Sequence, residues 1–142
     1  MKKGVIVYWS GTGSTEAMAE AVAEGAKKNN TQVTLLPVDE ATVDDVKNAD
    51  FIAMGCPSMG GDELEEQDME PFVASLESVV AGKPVVLFGS YGWGEGKWME
   101  DWVTRMNQWG AQVLGEGLIC LGMPNEESLK ECQELGSALS EA

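Results

Sequence analysis

The segment from Val5 to Thr15 constrains the fold of this chain more than any other part of it. An apolar run over residues 4–9 leads directly into a loop of hydroxyl side chains and glycines, and a helical pattern begins at Ser14. A strand that passes through a short loop into a helix is the opening half of a βαβ unit, in which the next strand runs parallel to the first. The segment therefore predicts an α/β fold with a parallel sheet covered by helices.

The loop between this strand and helix has the composition of a phosphate cradle. Amide groups at a helix N-terminus carry partial positive charge, so they bind a phosphate without help from lysine or arginine. A cradle of neutral donors suits a phosphate monoester that is held rather than cleaved. The residues expected to bind it are Ser10, Gly11, Thr12, Gly13, Ser14 and Thr15, through backbone amides and hydroxyl groups. The alternative is a plain βα turn with an ordinary N-terminal cap.

The rest of the chain alternates between strand and helix patterns. Predicted strands cover residues 4–9, 33–36, 51–55, 85–88 and 112–121, and predicted helices cover 14–28, 43–47, 68–80, 97–109 and 126–139. Five strands interleaved with helices predict right-handed crossovers and a doubly wound parallel sheet with helices on both faces. Since the chain shows no repeat or linker, residues 1–142 are expected to form a single domain.

The charge of the chain is strongly negative, with 24 acidic side chains against 9 basic ones and a net charge of −15. Such a surface repels nucleic acid and anionic membranes. It attracts proteins that present a basic face, although acidic side chains also serve simply to keep a small protein soluble. Basic protein partners are therefore expected, and no nucleic acid or membrane.

Residue types that are rare or missing narrow the function further. The chain has no histidine, which excludes histidine-based triads, proton shuttles and metal clusters, and no metal site is predicted. No apolar run is long enough to cross a bilayer or to act as a signal peptide. Three cysteines without paired spacing predict free thiols in a cytoplasmic protein, and Cys56 is expected to be buried and structural.

Two further polar loops, residues 56–67 and 89–96, follow the third and fourth strands and should meet the phosphate cradle at one edge of the sheet. Trp93 lies between glycines, which suits an aromatic ring that stacks on a planar ligand, and Met59 offers a polarisable surface for the opposite face. Asp62 can accept a hydrogen bond from a ring N–H group. A phosphate, a polyol and a planar heterocycle held in this way describe flavin mononucleotide (FMN).

Each of these residues also has a simpler interpretation. Met59 alone is as consistent with core packing as with a ligand contact, and Trp93 is also consistent with a packing or partner-facing role. The acidic residues near Asp62 are consistent with solvated loop positions. Trp9 either flanks the phosphate end or packs under the edge of the sheet, and packing is the favoured role. The other tryptophans are expected to pack rather than to contact a ligand: Trp98, Trp102 and Trp109.

With these residues the chain resembles the flavodoxin family, and in particular the short-chain flavodoxins of anaerobic bacteria. The resemblance covers nearly the whole chain, and its most specific parts are the 10–15 loop, the Met59–Gly60 turn and the 89–94 segment. The predicted fifth strand has no room for the long insertion that marks long-chain members. The resemblance implies a five-stranded sheet in the order 2-1-3-4-5 and FMN as cofactor.

The resemblance also implies a place for each residue around the flavin. Trp93 covers its outer face and Met59 its inner face, beside the Gly60–Gly61 turn. Asp62 takes the position of a carboxylate that bonds flavin N3; because glutamate is common there, the shorter side chain leaves open whether Asp62 or Glu63 makes this bond. The ribityl and pyrimidine side is lined by Ser58, Ser90, Tyr91 and Gly92.

Gly61 stands where family members usually carry a side chain. The resemblance implies that the Gly60–Gly61 peptide turns over when the flavin is reduced, so that its carbonyl faces flavin N5. The turned form resembles a type II turn, which favours glycine at its third residue. We therefore expect this chain to stabilise its neutral semiquinone at least as well as relatives that carry a side chain at this position.

The acidic residues that follow Asp62 are expected to govern the second reduction. The flavin hydroquinone is held as an anion, and each carboxylate about 10 Å away in a water-like dielectric opposes it by about 0.4 kcal/mol before screening. Neutralising Glu63, Glu65 and Glu66 together is therefore expected to raise the second potential.

Taken with the resemblance, these features imply a low-potential one-electron carrier rather than an enzyme. It would bind FMN non-covalently as a monomer and shuttle between semiquinone and hydroquinone. Its implied partners are basic-faced redox proteins such as iron–sulfur oxidoreductases and flavodoxin or ferredoxin reductases. The alternative is a small FMN-dependent quinone or nitro reductase, which would need longer loops and a dimer interface.

Overall fold

The computed structural model describes residues 2–28 and 30–142, and its strands form one sheet. All pairings are parallel. The strands are β1 Lys2–Tyr8, β2 Thr31–Pro37, β3 Phe51–Gly55, β4 Pro84–Tyr91, β5 Gln112–Val113 and β6 Leu118–Leu121. Their order in the sheet is β2-β1-β3-β4-β5, and β6 also pairs with β4. The helices are α1 Ser14–Ala26, α2 Val43–Lys47, α3 Met69–Ala74, α4 Lys97–Gln108 and α5 Glu126–Glu141, with a 3-10 turn at Val38–Glu40.

Side chains of the central strands alternate between two apolar cores, because successive residues of a strand point to opposite faces of the sheet. Val5 and Ile52 join one core, to which α2, α3 and α4 contribute. Ile6 and Ala53 join the other, which α1 and α5 complete. The prediction of a doubly wound parallel sheet with helices on both faces is therefore confirmed, as is its strand order.

The prediction of one continuous fifth strand over residues 112–121 is wrong, and the sheet has six strands rather than five. The segment divides into β5 and β6, which pair with different parts of β4. Gly115 (φ 79°) and Gly117 (φ 87°) take up left-handed conformations that no strand accommodates. A Cβ atom at Gly117 would lie 2.3 Å from Cγ of Met99, so this turn approaches α4 more closely than any other residue type would allow.

The structure also moves two boundaries that matter for the site. Residues 89–91, predicted as loop, belong to β4 and pair with β6. Gly89, which suggested a loop, instead lets β4 lie close to the backbone of Cys56. A Cβ atom at Gly89 would lie 2.1 Å from the carbonyl oxygen of Cys56. Helix α3 ends at Ala74 rather than near residue 80, and the hydroxyl of Ser75 there donates to the Phe72 carbonyl oxygen at 2.5 Å.

Helix α4 supplies the bulk beneath the carboxyl edge of the sheet. Trp98 and Trp102 are buried, which confirms the expectation that they pack rather than face a ligand. The indole Nε1 of Trp98 donates to the carbonyl oxygen of Cys56 at 3.0 Å, and its ring centroid lies 5.9 Å from that of Tyr91. None of the helices within the described residues has the length and apolar character needed to cross a membrane.

Candidate functional site

The turns that follow β1, β3, β4 and β6 converge at the carboxyl edge of the sheet and enclose a groove of about 350 Å³. This volume lies within the range of sites that take small molecules. Its lining comes from all four turns: Trp9, Gly11, Thr12, Ser14, Pro57, Ser58, Met59, Ser90, Tyr91, Gly92 and Gly122. The groove is therefore where the sheet topology predicts a ligand.

The 10–15 loop presents backbone donors to this groove. Gly13 is the residue that precedes α1, with φ 96°, and no side chain caps the helix. Ser10 Oγ accepts a hydrogen bond from the Gly13 amide at 3.0 Å, which closes the loop. Within the described part of the chain, no group accepts a hydrogen bond from the amides of Gly11, Thr12, Ser14 or Thr15. Four donors therefore remain for an anion, as the cradle prediction requires.

Two further hydroxyl groups of the loop, besides that of Ser10, have partners inside the protein. Thr15 Oγ1 lies 2.9 Å from Ser90 Oγ in a buried hydrogen bond, which ties the loop to β4. Ser14 Oγ lies 3.7 Å from Met123 Sδ in the turn that follows β6. Thr12 is exposed. The buried hydroxyls thus position the loop against its neighbours, in addition to any contact with a bound phosphate.

Met59 begins a tight reverse turn at the mouth of the groove. The Asp62 amide donates to the Met59 carbonyl oxygen at 2.8 Å, and the Met59 amide donates to the Glu63 carbonyl oxygen at 2.9 Å. Neither Gly60 nor Gly61 has positive φ; the left-handed residue is Asp62, with φ 56°. This pattern is typical of a type I turn followed by a left-handed bulge residue. It is not the type II form that the sequence associates with the reduced flavin.

Asp62 holds the N-terminus of α4. Its carboxylate accepts hydrogen bonds from Ser58 Oγ at 2.9 Å, from the Lys97 amide at 3.1 Å and from the Trp98 amide at 3.4 Å. Partial burial raises the pKa of Asp62, but these bonds and one from the Glu95 amide outweigh it and hold the pKa below its ordinary value. The carboxylate expected at flavin N3 is thus also the clamp between the Met59 turn and the Trp93 loop.

Trp93 stands on the loop between β4 and α4, and 58 % of it is exposed. Gly92 lines the groove, and Gly94 has φ 90°; a Cβ atom at Gly94 would lie 3.2 Å from Asp62 Oδ2. An exposed aromatic ring beside a ligand groove is available to stack on a planar group. Trp93 itself does not line the groove as the structure stands.

Glu65 differs from its acidic neighbours because it is buried and fully bonded. Its two oxygens accept from the amides of Gln67 at 2.7 Å, Asp68 at 2.7 Å and Met69 at 3.0 Å. Burial raises the pKa of Glu65, but the three amide bonds outweigh it and hold the pKa below its ordinary value. Glu65 therefore caps α3, and the idea of a solvated loop acid is wrong for this residue, whereas Glu63 and Glu66 are exposed.

Cys56 lies at the end of β3 with no exposed surface. Its Sγ accepts a weak hydrogen bond from the Glu65 amide at 3.5 Å, and burial raises the pKa of the thiol to about 12. The thiol stays protonated at neutral pH, so it is not a nucleophile. The expectation of a buried structural cysteine is confirmed.

The structure brings together part of the predicted site and leaves part outside the groove. The predicted residues that line it are Gly11, Thr12, Ser14, Ser58, Met59, Ser90, Tyr91 and Gly92. Those that adjoin it without lining it are Ser10, Gly13, Thr15, Gly60, Gly61, Asp62 and Trp93. The second set shapes the turns and their hydrogen bonds, and its contacts with a ligand stay a prediction.

Sequence reasoning missed the turn that follows β6. Gly122 lines the groove, its amide donates to the Tyr91 carbonyl oxygen at 2.9 Å, and Met123 beside it is 63 % exposed. Pro57 was also missed, and Trp9, expected to pack, both packs against the core and lines the groove. The topology alone could have indicated this turn. The last strand of a parallel sheet also ends at the carboxyl edge, so the turn that follows it lies beside the groove.

Comparison with known proteins bears directly on this arrangement. The flavodoxin family profile matches residues 6–136. The chain is 43% identical over 135 residues to a flavodoxin of Clostridium beijerinckii, covering 95% of this chain and 97% of that one. It is 45% identical over 137 residues to a flavodoxin of Megasphaera elsdenii, covering 96% and 98%. The solution structure of two-electron reduced Megasphaera elsdenii flavodoxin superposes with a TM-score of 0.88, at 43% identity over 98% of this chain and 99% of that one.

The chain belongs to the flavodoxin family. Its cofactor is FMN, and it is an electron carrier rather than an enzyme. The resemblance seen in the sequence is therefore confirmed. Because flavodoxins bind FMN, the residues of the groove can be compared with the chemical groups of FMN.

The residues at the groove fit FMN. The unpartnered amides of the 10–15 loop match a phosphate, and α1 adds the positive end of its dipole. A Cβ atom at Gly60, Gly92 or Gly122 would meet no heavy atom within 4 Å, so each of these turns leaves open space. Met59 at the mouth and Tyr91 in the lining supply polarisable surface for a flat ring. FMN would supply the redox chemistry, and the protein holds and orients it.

The capping role of Glu65 predicts an acid-sensitive contribution to stability. Glu65→Gln should lower the free energy of unfolding at neutral pH by about 1 kcal/mol, because an amide cannot accept at both positions. Because folding lowers the pKa of Glu65, its contribution is complete above the ordinary value of 4.5 and is lost as the pH falls through the folded value. Chemical denaturation from neutral to acid pH should therefore show the difference between the two proteins shrinking below that value.

Glu66→Gln is the matched control, because Glu66 is exposed on the same loop. It should leave the free energy of unfolding nearly unchanged at every pH. Equal losses in the two variants would show that loop charge, and not the cap, determines stability here.

Proposed function

We propose that this chain carries single electrons at low potential, moving its FMN between the one-electron and two-electron reduced forms. The observation that carries the proposal is the groove, where unpartnered amides meet the Met59 turn and the glycine-rich loop of Trp93. The amides of the 10–15 loop suit one phosphate group, and Met59 and Tyr91 suit one planar ring system.

The distribution of charge supports a low potential. The 10–15 loop contains no lysine or arginine, whereas Glu63 and Glu66 are exposed on the turn that follows Met59. A carboxylate about 10 Å from the ring disfavours an added negative charge by about 0.4 kcal/mol in a water-like dielectric, or about 18 mV for one electron. Several carboxylates acting together make the reduced flavin a stronger donor.

The partners we propose are basic-faced redox proteins, namely iron–sulfur oxidoreductases and flavodoxin or ferredoxin reductases, met by a monomer in the cytoplasm. A net charge of −15 supports this choice, because it steers basic proteins toward the chain and repels a second copy of it. The three cysteines are all free thiols, which suits a reducing compartment.

Titration of the apoprotein with FMN tests the proposal. We expect equimolar binding at submicromolar FMN with quenching of the flavin fluorescence, followed by two separate one-electron steps in a potentiometric titration. Failure to bind FMN at micromolar concentration would contradict the proposal. So would steady oxidation of NADH by the purified protein alone, which is the behaviour of a reductase.

Neutralising the two exposed loop acids should raise the second potential. We expect the Glu63→Gln, Glu66→Gln pair to raise it by about 35 mV at low salt, less at high salt, because two carboxylates no longer repel the negative reduced flavin. Glu65 is left unchanged because its carboxylate caps α3. The control pair Glu24→Gln, Glu134→Gln removes the same charge from exposed positions on α1 and α5. Equal shifts in both pairs would refute a local effect.

Gly61→Ala tests whether the Gly60–Gly61 peptide turns over on reduction. In the turn as observed, the atoms nearest to a Cβ atom at Gly61 belong to the flexible Glu63 side chain, with Oε1 at 3.3 Å, and φ is not positive. The oxidised variant should therefore bind FMN as the parent does. If reduction requires positive φ at Gly61, alanine costs about 1 kcal/mol and lowers the first potential by about 40 mV. An unchanged or higher first potential would refute this turn.

A further inference from the structure

A second groove, of about 450 Å³, lies on the far side of the Trp93 loop, between α4 and the turn that joins β5 to β6. Its floor is apolar and is formed by Met99 and Val103, one turn apart on α4, and by Ile119 of β6, which is 38 % exposed. The turn can approach Met99 because Gly117 has no side chain: a Cβ atom there would lie 2.3 Å from Cγ of Met99. We name this feature the α4–β6 groove.

Three carboxylates surround this apolar floor. Glu95 precedes α4, Glu100 lies in its first turn, and Glu116 lies in the turn between β5 and β6. All three are exposed, and none of the described residues that line the groove is a lysine or arginine. The nearby Lys97 does not line the groove, and its ammonium group pairs with Asp101 at 3.2 Å.

We propose that the α4–β6 groove is the docking site for a lysine- or arginine-bearing segment of the redox partner. The aliphatic part of such a side chain suits the apolar floor, and its cationic end suits the carboxylates of the rim. A second copy of this chain is disfavoured as the occupant, because two chains of net charge −15 repel each other. The inference rests on the proposed function, since it says where the proposed partner binds.

The position of the groove connects docking to the FMN site. Glu95 follows Trp93 by two residues in the same loop, and a Cβ atom at Gly96 would lie 3.3 Å from Cδ1 of Ile119. Asp62 holds the amides at the start of α4, so the floor of the groove is fixed relative to the Met59 turn. A partner seated in the groove therefore lies beside the ring expected to cover the flavin.

Binding of the oxidised, FMN-loaded protein to a purified ferredoxin–NADP⁺ reductase tests the proposal. Neutralising the rim with Glu95→Gln, Glu100→Gln and Glu116→Gln should raise the dissociation constant roughly ten-fold at low salt, because local charges at the contact are lost. The control variant Glu24→Gln, Glu77→Gln, Glu134→Gln removes the same charge from exposed positions elsewhere. It should raise the constant by a small fraction of that factor. Equal weakening in the two variants, or none, would overturn the proposal.

Two further measurements separate the groove from the general charge of the surface. Ile119→Lys places a cation on the floor, so it should weaken binding at both low and high salt while FMN affinity is unchanged. Carbodiimide cross-linking of the complex, read by mass spectrometry, should join partner lysines to the three rim glutamates. Wild-type affinity of Ile119→Lys, cross-links confined to α1 and α5, or a self-association that Ile119→Lys abolishes would each overturn the proposal.

Failure of this proposal differs visibly from failure of the proposed function. If the chain does not bind FMN, the electron-carrier function fails before docking is measured. If it binds FMN, shows two one-electron steps and binds the reductase equally well in all variants, only the docking site is refuted.

Discussion

Parallel pairing of β1, β3, β4 and β6 is the constraint on which the site depends, because it brings four turns to one edge of the sheet. The pairing also continues past the strands. The Trp9 amide donates to Gly55, the Ser58 amide to Ser90, and the Gly122 amide to Tyr91, at 2.9 to 3.0 Å. The turns that would grip FMN are therefore held in the register of the sheet and are not free loops. A cofactor bound there meets a surface whose geometry is set by the two cores beneath it.

The acidic residues around the Met59 turn, which look alike in the sequence, have different tasks. Asp62 and Glu65 each accept several backbone amides at the start of a helix, and these bonds lower the pKa of each carboxyl group. Glu63 and Glu66 are exposed, and under the proposed function they act on the flavin through their electrostatic field. Asp62 stabilises the contact between two turns, so a substitution there changes geometry and charge together. Any account of the flavin potential must therefore separate the bonded carboxylates from the exposed ones.

Much of the fold was predictable from the sequence, since apolar runs with hydroxyl- and glycine-rich ends mark β1, β3 and the start of α1. The errors have local causes. Gly89 looked like a loop residue, but its missing Cβ atom admits the Cys56 carbonyl, and the strand continues to Tyr91. Gly115 and Gly117 interrupt the fifth strand through positive φ, which residue composition does not reveal. The carboxylates of Asp62 and Glu65 accept hydrogen bonds from backbone amides at the starts of α4 and α3. The hydrophobic periodicity of the sequence does not predict these bonds. Gly122 was predictable from topology alone.

The combination of a neutral phosphate loop with an acidic surface has a consistent physical explanation. A net charge of −15 opposes the binding of any anion, so phosphate must be held by direct hydrogen bonds from amides that have no other acceptor. A lysine in the loop would strengthen phosphate binding, but its charge would also stabilise a negative reduced flavin and raise the potential. Amides act over short distances and carry no net charge. Under the proposed function they would bind the phosphate at one end of the groove, and the carboxylates would set the electrostatic field at the other end.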